Sequence, residues 1–199
     1  MRELAPSPRV DVTRRFAAFR RLMHMASRFY RANPLNPPLK MDIGSDDVQN
    51  LLRTLNSHGV RYLLVGGVAG MFHGHNRTTQ DLDLWIKHGE ENRQHLIDAL
   101  READVVGAEF LRQTPLLFGW TSLRFGTGNF ELDLGEKLKA FDATDFTACY
   151  QRSVLAVLDG VPFRVIHLSD LLQEKRSLGR AKDLADIEEL EKIAQRRPD

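Results

Sequence analysis

The chain has 199 residues, a net charge of +1 and one cysteine, Cys149. This length suits a single domain with a sizeable core, and a lone cysteine excludes an internal disulfide framework and suits a reducing cytosol. No stretch approaches the roughly 20 apolar residues that cross a bilayer, and the N-terminus lacks the apolar block of a secretory signal. We therefore expect a soluble, cytoplasmic protein without membrane contact.

Residues 1–40 form a basic arm that precedes the pattern of a folded core. The arm carries nine basic and two acidic side chains, a balance of +7, which leaves −6 for residues 41–199. Within it, Phe16, Phe19 and Met23 fit a short basic amphipathic helix that the segment "NPLNPP" ends. A targeting or membrane-surface helix, a nucleic-acid-binding arm and a poorly ordered appendage all fit this pattern. We favour the appendage and place the domain at residues 41–199.

The segment "SDDVQNLLRTLNSHGV" predicts the first core helix. Ser45 is suited to cap its N-terminus, and Asp46 and Asp47 lie in the first turn, where they complement the helix dipole. Gly59 follows the C-terminus, as is common after helices. The apolar stripe on this helix comprises Val48, Leu51, Leu52 and Leu55.

Strands and helices then alternate. The continuous apolar run "VRYLLVGG" predicts a strand buried on both faces, which ends at Gly66 and Gly67. A short helical segment, "GVAGMFHG", leads to the predicted strand "QDLDLWI" and to an amphipathic helix over "EENRQHLIDALREA".

From about Leu116 the period changes to two, which predicts a hairpin of "LLFGWTSLRF" and "FELDLG" around a turn at residues 126–129. A helix near residues 145–151 and a second hairpin around Asp159-Gly160 follow. Ser169 is predicted to cap the helix "DLLQEKRSL", and a last helix covers "AKDLADIEELEKIAQ", with Leu184, Ile187, Leu190 and Ala194 facing inward. We expect an α/β fold, a mixed β-sheet flanked by helices with a C-terminal helical segment from about residue 169.

Two aspartates interrupt the apolar strand "QDLDLWI". Side chains two apart on a strand share a face, so Asp81 and Asp83 project together while Leu82 and Leu84 point into the core. Neighbouring carboxylates repel each other unless a cation lies between them, and Mg²⁺ or Mn²⁺ is the natural partner. The alternative is an ordinary solvated face, which the aspartates alone would favour.

The two glycines change that balance. Gly66 and Gly67 lie where a buried strand turns into a helix, so a ligand can approach the backbone closely and the following amides face an anion. A metal-bound nucleoside triphosphate (NTP) requires a phosphate seat and metal-binding carboxylates at once. The combination therefore points to NTP chemistry.

The segment "VGGVAGMFHGHNRTTQDLDLWI" resembles the signature of the DNA polymerase β-like nucleotidyltransferase superfamily. Arg77, Thr79, Asp81 and Asp83 form an R-x-T-x-D-x-D arrangement that resembles the minimal AbiEii-type enzymes of toxin–antitoxin and phage-defence loci. The resemblance covers roughly residues 48–193 and implies a nucleotidyltransferase fold. It also implies that Arg77 braces the loop or offsets charge and that Thr79 hydrogen-bonds that loop.

The superfamily places a third carboxylate on a later strand. The segment "NFELDLG" offers Asp133, with Phe130, Leu132 and Leu134 predicted on the opposite, buried face. Glu131 shares the face of Asp133, so the alternation permits either acid. The resemblance favours Asp133, because the family acid directly precedes the last apolar residue of this strand.

The C-terminal segment "LLQEKRSLGRAKDLADIEEL" resembles the late part of the same family, in which a lysine precedes a K-D-x-x-D run. The resemblance makes Lys175 a candidate for binding the triphosphate, and Arg180 or Lys182 for binding phosphate or acceptor. Asp183 and Asp186 share a helical face and are candidates for orienting these cations. The alternative for all five residues is surface ion pairing on a charged helix.

Other conspicuous residues have structural explanations. His73, His75 and His88 lack the cysteine or the third well-spaced ligand of a zinc site. Cys149 lies on a predicted amphipathic helix, which indicates a packed thiol rather than a nucleophile. Trp85 and Trp120 are predicted as core or cleft wall rather than as a pair that stacks on bases.

Together these patterns predict a metal-dependent nucleotidyltransferase with a two-metal mechanism, in which Asp81 and Asp83 hold two Mg²⁺ or Mn²⁺ ions and one of the ions is shared with Asp133. It would transfer a nucleoside monophosphate from an NTP to a hydroxyl acceptor on a protein, the end of a tRNA or a small molecule. An alternative is a catalytically silent binding partner, such as an antitoxin that binds a cognate toxin. A metal-dependent phosphohydrolase is a further alternative, although it would need several histidines near the carboxylates.

Overall fold

The computed structural model describes residues 9–13, 42–76, 79–112 and 119–195. Within them, α1 is the first predicted core helix, now bounded at Asp46–Ser57. Residues 108–112 form a short 3-10 helix (Ala108–Arg112). The strands are β1 (Arg9–Asp11), β2 (Tyr62–Leu64), β3 (Asp81–Ile86), β4 (Thr121–Phe125), β5 (Phe130–Gly135), β6 (Val154–Leu158) and β7 (Val161–Val165). The remaining helices are α2 (Gly66–Phe72), α3 (Glu90–Glu102), α4 (Phe146–Arg152), α5 (Leu168–Leu178) and α6 (Ala181–Gln195).

Helix α1 shows how local sequence signals set an element. The Ser45 hydroxyl accepts a hydrogen bond from the Val48 amide at 3.4 Å, and two acids occupy the first turn. Gly59 follows the helix with a φ of +67°, a conformation that glycine adopts without steric cost. The predicted stripe of Val48, Leu51, Leu52 and Leu55 is fully buried, which confirms the helix and its inward face.

The seven strands form one mixed sheet with the order β1-β6-β7-β2-β3-β5-β4. β2 is antiparallel to β3 and parallel to β7, while β3 and β5 are parallel neighbours. Both predicted hairpins are present, β4 with β5 and β6 with β7. The predicted mixed α/β fold is therefore confirmed.

The register between β3 and β5 positions the polar side chains. Asp83 pairs with Asp133, and Asp81 pairs with Glu131. Leu82 and the other alternate residues of both strands are buried, so the acids share the opposite face. One face of these strands therefore supplies the core and the other presents carboxylates.

The N-terminal strand was not expected, since the sequence analysis began the domain at residue 41. β1 lies at the edge of the sheet and pairs in parallel with β6. The Val12 amide, just beyond it, donates to the Val157 carbonyl at 2.9 Å, and the Val12 side chain is buried. Residues 9–13 thus contribute to the folded domain. The amphipathic helix predicted in the arm lies outside the described residues.

Two details of the C-terminal helices also differ from expectation. α5 begins at Leu168 and is capped by the His167 side chain, which accepts a hydrogen bond from the Ser169 amide, so Ser169 is not the cap. On α6, Leu184 is exposed although it was predicted to face inward, whereas Ile187 and Leu190 are buried as predicted. Asp183 takes a buried position on α6 because it pairs with cations next to it.

Helix α1 packs against α3 and β7, and α5 packs against α6 and α2. The packing brings the N-terminus of α2, the acidic face of β3 and β5, and the two C-terminal helices together. Among the described residues no helix combines the length and the apolar character that crossing a membrane requires.

Candidate active site

A cleft of about 360 Å³ opens where these elements meet. Its volume lies within the range of small-ligand pockets. The glycine turn, the three predicted aspartates and the C-terminal helices all contribute to its walls. The lining residues include Val65, Gly66, Gly67, Thr79, Asp81, Asp83, Trp120, Asp133, Leu138, Ile166, Leu171, Glu174, Lys175, Leu178, Arg180, Lys182 and Asp183.

The turn between β2 and α2 lies directly against β3. The Val65 amide donates to the Asp83 carbonyl at 3.0 Å, and the Gly67 amide donates to the Asp83 carboxylate at 3.4 Å. Gly66 has a φ of +60°, and a Cβ at this position would overlap the Asp83 carboxylate. Glycine is therefore required at residue 66 both by the backbone conformation and by the close approach to β3.

The three predicted carboxylates converge at one side of the cleft. Oxygen atoms of Asp81, Asp83 and Asp133 lie within 4.8 Å of one another, so one cation can contact all three. The Thr79 hydroxyl donates to Asp81, and the Ser122 hydroxyl donates to Asp133 at 2.5 Å. These hydrogen bonds orient the two outer carboxylates toward the cleft.

The charge of this cluster is poorly compensated. Burial raises the pKa of Asp83 to about 7, and the neighbouring carboxylates of Asp81 and Asp133 add to the increase against smaller opposing effects of the Gly67 amide and Lys182. Burial also raises the pKa of Asp133, although the hydrogen bond from Ser122 opposes it. A cation bound between the three groups would relieve this repulsion, and carboxylate oxygens are the ligands that Mg²⁺ and Mn²⁺ prefer.

Glu131, the alternative third acid, has a different partner. Its carboxylate pairs with Arg124 at 3.3 Å, two residues along the hairpin from the contact between Ser122 and Asp133. The structure thus groups Asp133, rather than Glu131, with the two aspartates of β3.

The C-terminal helices pair two of the predicted cations with buried aspartates, and Lys175 is itself buried, whereas Arg180 is half exposed. The Lys175 ammonium lies 2.6 Å from the Asp186 carboxylate and 3.6 Å from Asp183, and all three side chains are buried. The His75 Nε2 contacts the other oxygen of Asp186 at 2.9 Å. Asp186 thus ties α5 and α6 to the loop that follows α2, and much of the Lys175 charge is neutralised within the protein.

Arg180 forms a two-point contact with Asp183, at 2.6 and 3.2 Å. Although burial opposes it, the hydrogen bond and charge of Arg180, together with Lys175, lower the pKa of Asp183. Lys182 also lines the cleft, and among the described residues no carboxylate oxygen lies within ion-pair distance of its ammonium. Lys182 is therefore the cleft lysine whose charge faces the aspartates most freely.

The structure brings nine of the ten predicted site residues to this cleft. They are Gly66, Gly67, Thr79, Asp81, Asp83, Asp133, Lys175, Arg180 and Lys182. The tenth, Arg77, lies outside the described residues. Thr79 contacts the Asp81 carboxylate, an interaction that the sequence analysis did not anticipate because it assigned this hydroxyl to the loop.

Ser122 was not among the site residues predicted from the sequence. The turn at residues 126–129 sets Phe125 opposite Phe130, and counting back along both strands sets Ser122 opposite Asp133. The hairpin register, which was predictable, was therefore the signal that could have identified this contact.

The histidines serve the fold around the cleft. His73 Nε2 donates to the Ile166 carbonyl at 2.8 Å, and His88 contacts Glu136 at 2.7 Å. Cys149 is fully buried, and burial raises the pKa of its thiol to about 12. These positions agree with structural roles for the three residues.

Comparisons with known proteins identify the type of domain. A family model described as "Nucleotidyl transferase of unknown function" (DUF2204) matches residues 44–198. An antigenic nucleotidyltransferase-like protein from Paracoccidioides brasiliensis has a similar structure, with a TM-score of 0.47, 19% identity and coverage of 79% of this chain and 78% of its own. The lincomycin-bound lincosamide antibiotic adenylyltransferase LnuA has a TM-score of 0.49 at 14% identity, covering 78% of this chain and 99% of its own. The curated proteins contain no match to the sequence.

Proposed function

The chain belongs to the nucleotidyl transferase family DUF2204, and we propose that it transfers a nucleoside monophosphate from an NTP to a hydroxyl acceptor. The observation that carries this proposal is the convergence of Asp81, Asp83 and Asp133 beside Gly66 and Gly67 in one cleft. The glycine turn offers a close backbone approach for phosphate, and the carboxylates offer hard oxygen ligands next to it. An NTP-dependent transfer needs both features.

The carboxylate cluster is proposed to bind Mg²⁺ or Mn²⁺ together with the triphosphate. Its three carboxylates supply oxygen ligands, and the raised pKa of Asp83 reflects burial first and then the negative charge of Asp81 and Asp133, which a cation would balance. When bound, the metal neutralises triphosphate charge and lowers the pKa of the acceptor hydroxyl. Asp81 and Asp83 on β3 would hold two such ions, and Asp133 on β5 would share one of them.

The residues around the cluster are proposed to bind the phosphates. Gly66 and Gly67 would seat the β- and γ-phosphates, because both line the cleft beside the carboxylate cluster and neither carries a side chain of its own. Lys182 would contact the triphosphate directly, while Lys175 and Arg180 contribute charge that Asp186 and Asp183 already compensate in part.

The reaction consists of one displacement at the α-phosphorus. A bond forms between the acceptor oxygen and the α-phosphorus, the bond to the pyrophosphate oxygen breaks, and the proton of the acceptor hydroxyl passes to water. Attacking and leaving oxygens lie roughly in line in such displacements. The acceptor would therefore approach from the side of the cluster that is opposite to the glycine turn.

The acceptor is proposed to be a protein side chain, a small molecule or the end of a tRNA. The balance of −6 over residues 41–199 argues against a grip on a long phosphate backbone, which normally needs a basic surface. The AbiEii-type subgroup, with a role in toxin–antitoxin or phage-defence systems and a cognate toxin or antitoxin as partner, remains a prediction from the R-x-T-x-D-x-D motif.

The test is incubation of the protein with each α-labelled NTP and Mg²⁺, with and without cell extract, followed by identification of the labelled molecule. Label should appear on one class of molecule and require Mg²⁺. Asp133→Asn should abolish labelling, and Glu131→Gln is the matched control, because it removes an acid from the same face of β5 outside the cluster. No labelling by the wild-type protein with any NTP would favour a silent binding partner, and equal loss in both variants would contradict the role of Asp133.

A further inference from the structure

Three cross-strand pairs follow one another on the cleft face of the β4–β5 hairpin. Arg124 pairs with Glu131, and Ser122 hydrogen-bonds Asp133 two residues along. Because Thr121 pairs with Leu134, the next position on this face sets Trp120 beside Gly135. Trp120 thus continues the row that contains the Asp133 carboxylate, and it lines the same cleft.

The indole ring of Trp120 packs on the backbone of Gly135. A Cβ at Gly135 would lie 2.7 Å from Cε2 and 2.8 Å from Cδ2 of the ring, so the absence of a side chain makes room for the indole. Gly135 does not have a positive φ, so the backbone conformation alone does not explain the glycine. The Trp120 residue remains 42% exposed although its ring is supported from one side.

The position of Trp120 relative to the glycine turn indicates which substrate it meets. Along the sheet the order is β2, which leads into Gly66, then β3, then β5 with Asp133, then β4 with Trp120 next to its first residue. If pyrophosphate leaves toward the glycine turn, the attacking oxygen enters from the side of β5 and β4. Trp120 lies on that entry side.

We propose that Trp120 forms an acceptor subsite in which its indole stacks on a flat, apolar ring of a small hydroxyl-bearing acceptor. This inference rests on the proposed nucleotidyl transfer and specifies its acceptor side. Aromatic stacking suits such a group because each ring presents a π-face, and Gly135 supports the indole of Trp120 from one side. The ring of the acceptor rests on Trp120, and its hydroxyl reaches toward Asp133 on the adjacent strand.

Kinetic variants separate this role from a structural one. Trp120→Leu removes the aromatic face, Trp120→Phe keeps a flat ring, and Gly135→Ala leaves Trp120 in the chain but displaces its indole. The assay uses an α-labelled NTP and the fraction of cell extract that becomes labelled by the wild-type protein. Trp120→Leu and Gly135→Ala should raise the amount of this fraction needed for half-maximal labelling about tenfold. Trp120→Phe should stay within about threefold of wild type, and the KM for the NTP should change less than about twofold in all three.

Each outcome of this experiment decides the point. A raised KM for the NTP with unchanged acceptor dependence would assign Trp120 to the nucleobase and overturn the inference. Unchanged dependence on both substrates in a folded Trp120→Leu protein would make the tryptophan only a cover of the sheet, and an acceptor that lacks a flat ring would exclude stacking. Absence of any transfer by the wild-type protein would overturn the proposed function, and this inference with it. Trp120→Leu and Trp120→Phe leave the glycine unchanged, so they test the inference even where Gly135→Ala fails to fold. Thermal unfolding of all three variants identifies any that misfold.

Discussion

Gly66 and Asp83 lie so close together that a side chain at residue 66 would overlap the Asp83 carboxylate. Two segments of different type meet at this point, since Gly66 begins α2 and Asp83 lies in the middle of β3. The Gly67 amide and the Val65 amide both donate to Asp83, so the turn and the strand form one rigid unit. The proposed phosphate seat and the carboxylate cluster are therefore positioned by the same contacts.

Substitution of Gly66 should lower the free energy of unfolding by more than the unfavourable backbone conformation alone would. Gly66→Ala should destabilise the protein by about 1–2 kcal/mol for the left-handed conformation, with about 1–3 kcal/mol more for overlap with Asp83. Gly59→Ala is the matched control, because Gly59 also has a positive φ but a Cβ there would meet nothing within 4 Å. Urea unfolding of both variants measures the difference, and equal destabilisation would contradict the close contact with Asp83.

The repulsion within the carboxylate cluster should appear as a pH-dependent gain in stability on mutation. Because the pKa of Asp83 rises from 3.8 to about 7 on folding, the folded state holds its proton more tightly than the unfolded state. The free energy by which Asp83 destabilises the folded state therefore grows as the pH rises from 3.8 to about 7, and it reaches its full value above about pH 7. In EDTA, the gain in unfolding free energy from Asp83→Asn should be about 2–3 kcal/mol larger at about pH 8 than at about pH 5.

The measurement is urea unfolding of wild type and Asp83→Asn at both pH values, and the comparison cancels the effects of titrating groups that do not interact with Asp83. A gain that is equal at both pH values, or larger at the lower one, would contradict the raised pKa. Added Mg²⁺ should stabilise the wild-type protein and have less effect on Asp83→Asn, because the variant lacks one of the three carboxylates.

Mutation of the two cleft lysines should affect different properties, stability for Lys175 and binding of the NTP for Lys182. Lys175→Met should destabilise the protein by about 3–5 kcal/mol, because it removes the cation between two buried aspartates. Lys182→Met should change stability by less than about 1 kcal/mol but raise the KM for the NTP, because Lys182 faces the cleft without a close carboxylate among the described residues. Unfolding and initial-rate measurements separate the two effects.

A compensating change controls for the size of the deleted lysine. If the cost of Lys175→Met arises from an uncompensated charge, adding Asp186→Asn should recover part of the lost stability. No recovery would indicate that packing of the lysine stem, rather than its charge, accounts for the loss.

The sequence predicted well which helices and strands surround the cleft. It predicted less well where these elements end and which charged side chains pair. Periodicity identified α1 and both hairpins, and alternation separated Asp83 from Leu82, because each signal extends over a whole element. Leu184 was misassigned because α6 buries Asp183 beside Lys175, a pairing between helices that periodicity within one helix does not encode. The convergence of Asp133 with β3 came from family resemblance, since pairing between strands fifty residues apart has no local signal.

Strand β1 is the element that sequence patterns did not reveal. Three residues are too few to show a period, and the partner strand β6 lies more than 140 residues away along the chain. The strand nevertheless covers the edge of the sheet, and Val12, which follows it, is 2% exposed whereas Val10 is 38% exposed. Val12→Ala should therefore destabilise the protein by about 1–2 kcal/mol, and Val10→Ala should cost less than about 0.5 kcal/mol. Urea unfolding tests the pair, and equal effects would contradict the docking of residues 9–13 on the domain.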